Sequence, residues 1–255
     1  MSENGTNPQV EAALSRGRNR VWWPWLIALA IPVFTILFYL PSYPALPERI
    51  PTHWNGAGQP NDWSDKSLWS AFQGQFINFA VLAFTGFIAY LVPHLMNSSE
   101  STTTFARFQR EGSRRSMVAG LGGLAIVLSA LMFFVTFSIF QTDYAMPAVV
   151  IVILALLCIP AMIPGFLYGA RWSRRAIQEA GVIPSSAELE EESKWLPGGI
   201  RNDPSDPSAF VPKRDGYGMG LTVNWGSKAG KAWTVGFFVV LALFILLMTV
   251  ISANS

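Results

Sequence analysis

RFQREGSRRS, residues 107–116, runs directly into MVAGLGGLAIVLSALMFFVTFSIF, residues 117–140. The arginines stop at Arg115, and the 24 residues after Ser116 carry no charge. A helix needs about 20 apolar residues to cross a ~30 Å hydrocarbon core, so the second string is long enough to span a bilayer. Another apolar run, residues 147–170, follows after only six residues. So short a connection makes the pair an antiparallel transmembrane hairpin. Pro147 suits the first helical position after it, where a missing N–H costs nothing. Three more such runs stand at residues 21–40, 72–95 and 232–251.

The stretches between the five runs alternate in charge. Of the chain's 18 Lys and Arg residues, only Arg49 and Lys66 fall between the first and second runs. None falls between the third and fourth, or after the fifth. Basic residues are retained on the cytoplasmic side. The expected fold is therefore an all-α polytopic membrane protein with five transmembrane helices, N-terminus inside and C-terminus outside, and a small cytoplasmic β-containing module. Its segments are a disordered cytoplasmic tail over 1–20 and the first two transmembrane helices over 21–95, with an outer loop at 41–71. A basic cytoplasmic loop over 96–116 and the transmembrane hairpin over 117–170 follow. The cytoplasmic module over 171–231 and a fifth transmembrane helix over 232–252 complete the chain. The first run is too long for a signal-peptide core, and Pro41-Ser42-Tyr43-Pro44 stands where a cleavage site is wanted.

Composition agrees. Charged residues make up 13% of the chain, about half the share of soluble domains, which excludes one ordinary soluble core. The basic rim is accounted for by inside retention and attraction to anionic headgroups. The lipid bilayer is thus an expected partner and nucleic acid is not. The single cysteine, Cys158, lies in the fourth run, so no intramolecular disulfide and no cysteine metal cluster forms. Ala119-x-x-x-Gly123 and Ala125-x-x-x-Ser129 space small residues for close helix approach. Pro32, Pro160 and Pro164 predict kinks.

Within the module, Arg171 to Ala180 extends the fourth helix until Gly181 stops it. Ser185-Ser186-Ala187-Glu188 is a capping box opening a short acidic helix through Lys194. Phe210-Val211 and Leu221 to Trp225 have strand character. The glycine-rich loop 212–220 between them matches neither a phosphate loop nor a dinucleotide fingerprint, and its basic residues are expected to face lipid headgroups.

No Asp, Glu, Lys or Arg lies within any of the five runs, whereas ion-coupled carriers place such groups near the midplane. Gln73, Gln75 and Asn78 read as helix–helix hydrogen-bonding groups, with a shallow polar cavity as the alternative. His94 reads as interfacial. In the outer loop, His53 stands near Asp62, Ser64 and Asp65. One histidine without spaced partner ligands does not make a zinc site, and no nucleophile–base–orienter set is present. No catalytic residue, metal or cofactor is expected. The loop's prolines and glycines suit one held shape.

The pattern Leu46-Pro47-x-x-Ile50-Pro51-x-His53-Trp54-x-x-x-Gly58, just after the first run, resembles a domain of unknown function catalogued as sixteen-forty-eight. That domain also occurs in the bacterial membrane family of the sporulation-delaying-protein immunity factor. Asn202-Asp203-Pro204-x-Asp206-Pro207-x-x-Phe210-Val211-Pro212-Lys213-Arg214-x-Gly216-x-Gly218, ending near Asn224, resembles a second uncharacterised domain, catalogued as fifty-eight-oh-eight. The immunity family implies a multi-pass protein of the bacterial plasma membrane that resists an exported toxic peptide and captures a cytoplasmic repressor. This chain departs from it where the second domain replaces the immunity protein's own C-terminal helices.

The resulting expectation is a non-enzymatic envelope sensor or immunity-like protein. Its partners would be an extracytoplasmic peptide and a cytoplasmic regulator. The outer binding candidates are Pro51, His53, Trp54, Asn55, Gly58 and Asp62. The inner ones are Asp206, Pro207, Lys213, Arg214 and Asn224. A transporter or transporter accessory subunit is the alternative. A membrane enzyme would need His53 and a carboxylate to converge in a cleft.

Overall fold

The computed structural model describes residues 8–95, 103–141, 143–196, 198–214 and 220–253. In chain order the helices are α1 (Pro8–Ser15), α2 (Trp23–Tyr39), α3 (Leu68–Leu95), α4 (Thr104–Ile139), α5 (Ala148–Leu157), α6 (Ile163–Glu179), α7 (Ser186–Ser193) and α8 (Lys228–Ala253). Three two-stranded antiparallel sheets punctuate them. They are β1 (Arg49–Trp54) with β2 (Pro60–Asp65), β3 (Trp195–Leu196) with β4 (Ile200–Arg201), and β5 (Phe210–Pro212) with β6 (Leu221–Val223).

Pro8–Ala45, Leu68–Leu91 and Thr104–Ile139 are long and apolar enough to cross a membrane. Val149–Leu157 and Pro160–Glu179, bent by 46° at the break between them, form a fourth crossing if counted as one. α8 is uncharged after Lys231. Large apolar side chains such as Phe34, Leu37, Phe84, Phe237 and Leu243 point outward from these helices. A soluble fold would turn them inward, whereas a lipid-facing one need not. The architecture is that of a mostly helical membrane protein.

Several segment boundaries differ from expectation. The tail over 1–20 is not wholly irregular, because Pro8–Ser15 is helical and Leu14 is buried. Residues 1–7 lie outside the described residues, as do 96–102, 215–219, 254 and 255. The basic loop over 96–116 is helical from Thr104 onward, so its four arginines ride on a continuous extension of α4. The run over 147–170 is not one helix. Pro160 opens a short 3-10 turn, Pro160–Met162, between α5 and α6, as a residue without an N–H to donate would do. Pro147 stands one position before α5.

The chain divides into two compact units. The first comprises Met1–Trp22, Ile88–Leu121 and Ile163–Val239. Its apolar centre joins Leu14 of α1, Phe105 and Phe108 of α4, and Ala176 and Ile177 of α6. α4 and α6 touch backbone to backbone. A Cβ built on Gly169 would stand 2.2 Å from the Gly112 carbonyl oxygen, and one on Gly165 would stand 2.2 Å from the Gly120 nitrogen. Gly112, Ser116 and Gly120 thus face Gly165, Gly169 and Ser173, a four-residue spacing on each helix. The Ser116 hydroxyl donates to the Phe166 carbonyl at 3.1 Å, and that of Ser173 to Gln109 Oε1 at 3.1 Å.

Beside this crossing lies a buried charge cluster. Glu111, 7% exposed, accepts from Arg115 Nε at 2.8 Å, Arg114 Nη1 at 3.1 Å and Arg18 Nε at 3.2 Å. Arg115, fully buried, also donates to the carbonyls of Leu14 and Arg16 at 3.0 Å each. Its guanidinium stacks on the Trp172 ring at 3.7 Å. Arg115 therefore closes the open C-terminal end of α1, whose last carbonyls lack helical partners. The Gly181 stop forms as expected. Gly181 has φ +62, and Val182 N–H reaches back to the Ile177 carbonyl at 3.1 Å, a six-to-one closure.

The second unit comprises Trp23–Phe87, Gly122–Met162 and Val240–Ser255. Here Ile50, Ala71, Phe72 and Ile139 make the buried centre, with Leu46, Trp54 and Phe140 packed against it. Gln75 Nε2 donates to the Met132 carbonyl at 2.7 Å and to Thr136 at 3.0 Å, and Ser129 donates to Asn78 Oδ1 at 3.3 Å. Gln75 and Asn78 are buried between α3 and α4, so both serve helix–helix bonding. Gln73 reaches the Thr52 carbonyl of the hairpin at 3.4 Å.

Two stability outcomes follow from the first unit. Gly169→Val should destabilise the detergent-solubilised protein by at least the ~1–3 kcal/mol typical of overpacking. Gly236→Ala, with open space around its Cβ position, should be neutral or stabilising in the same thermal unfolding assay. Arg115→Ala should cost about 3–5 kcal/mol, since it leaves Glu111 short of its closest charge partner. Arg115→Lys should recover little, because one ammonium cannot serve Glu111, two carbonyls and the Trp172 face together.

Candidate functional site

The expected outer loop is a hairpin tied down at its tip. β1 pairs with β2 with shifts of register around His53, and Asn55 builds the turn. Asn55 Oδ1 accepts from the Ala57 and Gln59 N–H groups at 3.0 Å each, the local side-chain-to-backbone bonding that asparagine favours in turns. Gly58 sits at φ +77, a conformation costly for any residue with a Cβ. Two bonds then anchor the tip to the segment between α4 and α5. Trp54 Nε1 donates to the Tyr144 carbonyl at 2.6 Å, and Met146 N–H donates to the Gly58 carbonyl at 2.8 Å. Tyr144, at φ 55, is the non-glycine residue held in the left-handed region among the described residues. Its ring meets Trp63 edge-on at 5.4 Å.

This geometry sorts the outer candidates. Pro51 is buried opposite Trp63, and Trp54, Asn55 and Gly58 have backbone partners that hold the hairpin. His53 and Asp62 are exposed and paired in register. The His53 ring nevertheless bonds Asn61 Oδ1 at 2.6 Å, and Asp62 accepts from the Trp63 N–H at 2.8 Å. Among the described residues no three His, Cys, Asp or Glu side chains group as metal ligands. The His94 side chain lies outside the described residues.

The module is organised around Asn224. Its side chain is fully buried and makes four bonds. Oδ1 accepts from the N–H groups of Asp203 at 2.9 Å and Gly226 at 3.1 Å. Nδ2 donates to the carbonyls of Asp203 at 2.9 Å and Asp206 at 2.8 Å. Asn224 thereby joins the 202–208 turn to the end of β6 and the start of α8. Asp206 accepts from the Ser208 N–H at 2.9 Å, and Pro207 is exposed. Arg201 links Glu191 at 2.6 Å and Asp203 at 2.9 Å. The Ser185–Glu188 capping box is complete, and β5 and β6 pair as the sequence predicts, although β6 ends at Val223. β3 and β4, two residues each, were not expected.

Lys213 and Arg214 open onto a cleft of about 220 Å3 that the sequence did not reveal. Its walls are the α4 face around Gly112 and Ser113, the α6 face around Ser173 and Arg174, and the module at Glu192, Trp195 and Leu196. Arg214 is paired with Glu192 at 2.5 Å. Trp195 is held in place by its indole N–H, which donates to Glu191 at 2.8 Å. The only advance signal was the basic pair Lys213-Arg214, which reads equally well as a headgroup contact.

A family model described as a domain of unknown function, DUF1648, matches residues 30–78. No curated protein and no solved structure matches the chain. The matched segment runs from within α2 through the β1–β2 hairpin into α3, and its Leu46, Ile50 and Trp54 all pack in the hairpin's apolar centre.

The Asp203 carboxyl is held down to about 2 from the usual 3.8, chiefly by the Ser205 hydroxyl and then by the Arg201 guanidinium. A carboxylate with a depressed folded-state pKa adds stability above its unfolded value, and that stability fades as pH falls towards the folded value. Thermal unfolding in detergent should therefore show wild type losing stability between about pH 4 and pH 2. Asp203→Asn should start less stable at pH 6 and change less across that window.

Proposed function

We propose that this chain is a non-enzymatic, multi-pass protein of the bacterial plasma membrane. In this reading the β1–β2 hairpin is an extracytoplasmic recognition surface and the 171–231 module contacts a cytoplasmic regulator. Five crossings with a cytoplasmic N-terminus are part of the proposal, supported by the charge alternation and by the length of α8. The resemblance of residues 202–224 to a second catalogued domain also belongs here.

The observation that carries the reading is the anchored hairpin. Trp54 and Gly58 lock its tip while His53 and Asp62 remain exposed. A surface already held in one conformation loses less entropy on binding, and a hairpin with an exposed polar rim suits a peptide ligand. A transporter role has less support, because Gln75 and Asn78 are closed onto α4 rather than lining a path.

The topology arm uses a reporter active only outside the cytoplasm. It should work when fused after Ser255 and fail when fused after Gly181. Activity at Gly181 refutes the five-crossing arrangement. The recognition arm uses the surface pair His53→Ala and Asp62→Ala, which spares the anchoring bonds. The double variant should reach wild-type levels in the membrane yet lose at least tenfold in tolerance to exported toxic peptides. Wild-type tolerance across such peptides would sink the sensor reading.

A further inference from the structure

The cleft walled by α4, α6 and the module has a chemistry that neither the hairpin nor the DUF1648 match touches. Among the described residues, the Arg174 guanidinium, the Lys213 ammonium and the Ser113 hydroxyl line it without a side-chain partner. Arg214 adds a third cation, oriented by its pairing with Glu192. Three cations against one carboxylate leave the lining net positive. Free donors around a concave site are the usual means of holding a tetrahedral oxyanion, with arginine offering a planar fork and lysine a point charge.

Position narrows the ligand further. On α4 the lining spans the point where charge ends, since Ser113 is followed by Arg114 and Arg115, and from Met117 onward the helix is uncharged. On α6 the same boundary falls between Ala170 and Arg174, with Arg171 the first charge. Such boundaries lie at headgroup depth. Met117, Trp195 and Leu196 supply apolar wall beside the cations. A volume of about 220 Å3 is below the ~300–1,000 Å3 of pockets for drug-sized ligands. It suits a phosphate bearing a small polar group rather than a whole nucleotide. The absent side chain of Gly112, whose Cβ would stand 2.6 Å from that of Ser173, brings Ser113 and Arg174 to the same opening.

We propose that this cleft binds a phosphoryl oxyanion, carried by an anionic phospholipid headgroup or by a small soluble phosphate ester. Arg174, Lys213 and Ser113 are its donors, and Trp195 is the wall beside it. The proposal goes beyond the sensor reading and does not depend on which side of the membrane the cleft faces.

The test uses the full-length protein in detergent. One arm titrates glycerol 3-phosphate and inorganic phosphate by calorimetry. The other measures retained lipid by native mass spectrometry after exposure to phosphatidic acid, phosphatidylglycerol or phosphatidylcholine. Binding in the soluble arm alone assigns a soluble ester, and retention of anionic over zwitterionic lipid alone assigns a headgroup. Binding in both arms assigns the shared phosphoryl group, and each of these results supports the proposal. The double variant Arg174→Gln and Lys213→Gln should weaken binding at least tenfold. Arg171→Gln with Arg175→Gln, exposed cations of α6 outside the lining, should leave it within twofold. Ser113→Leu, which fills the cleft without altering charge, should abolish it. Equal losses in the two double variants, full binding in Ser113→Leu, or no binding in either arm overturns the proposal.

Discussion

The contact of α4 with α6 through glycine and serine is the constraint on which the first unit depends. In lipid, apolar side chains gain nothing by leaving one hydrocarbon surface for another, so helices associate through packing and hydrogen bonds. Small residues allow that packing by bringing backbones together. The distances show how close the approach is, since a single Cβ on Gly112, Gly165 or Gly169 meets backbone or Ser173 atoms at 2.2–2.6 Å. In the second unit Gly123 behaves alike, with a Cβ position 2.2 Å from the Ala161 carbonyl oxygen. The Ser116 and Ser173 hydroxyls, which donate to Phe166 and Gln109, add bonds across the contact.

The buried charges follow from that close approach. With α6 drawn onto α4, Trp172 covers Arg115 and the pair Glu111–Arg115 is removed from solvent. Burial of a lone pair rarely stabilises, because desolvation offsets the Coulomb attraction. Here Glu111 receives three guanidinium groups and Arg115 also caps α1, which offsets part of that cost, although Arg115 Nη1 is buried without a hydrogen-bond partner. The cluster converts an eight-residue helix, too short to persist alone, into a fixed part of the unit.

What the sequence disclosed was what local pattern controls. The uncharged runs, the Ser185 capping box, the Gly181 stop and the β5–β6 pair each depend on one continuous stretch of sequence, and the box, the stop and the pair are present. What it concealed depends on partners far along the chain. Glu111 and Arg115 look like a solvated charged face until Leu14, Arg16 and Trp172 are placed beside them. The β1–β2 hairpin escaped because Pro51 and Pro60 argue against a strand. In a two-stranded sheet both strands are edges, where a missing N–H is tolerated. The small-residue spacing at Ala119 and Gly123 does serve close approach, to Gly165 and to the Ala161 carbonyl, yet the contact of α4 with α6 continues through Gly112, Ser116 and Gly120, which the sequence reading leaves out. Pattern alone cannot tell which face a neighbouring helix will choose.

The motif residues Trp54, Gly58 and Asn224 share one physical task. Two-stranded hairpins are marginal by themselves in water, and the described residues form three. These residues tie two of them to distant backbone groups. Trp54 and Gly58 reach the 144–146 segment, and Asn224 reaches Asp203 and Asp206. A side chain so employed cannot be released to a ligand without freeing the hairpin it holds. Such anchors leave other polar groups exposed, His53 and Asp62 on the first hairpin and Arg174 and Lys213 beside the cleft. Holding a shape and meeting a ligand draw on the same hydrogen-bonding atoms, so within one motif Trp54 and Gly58 hold the hairpin while their neighbour His53 stays exposed.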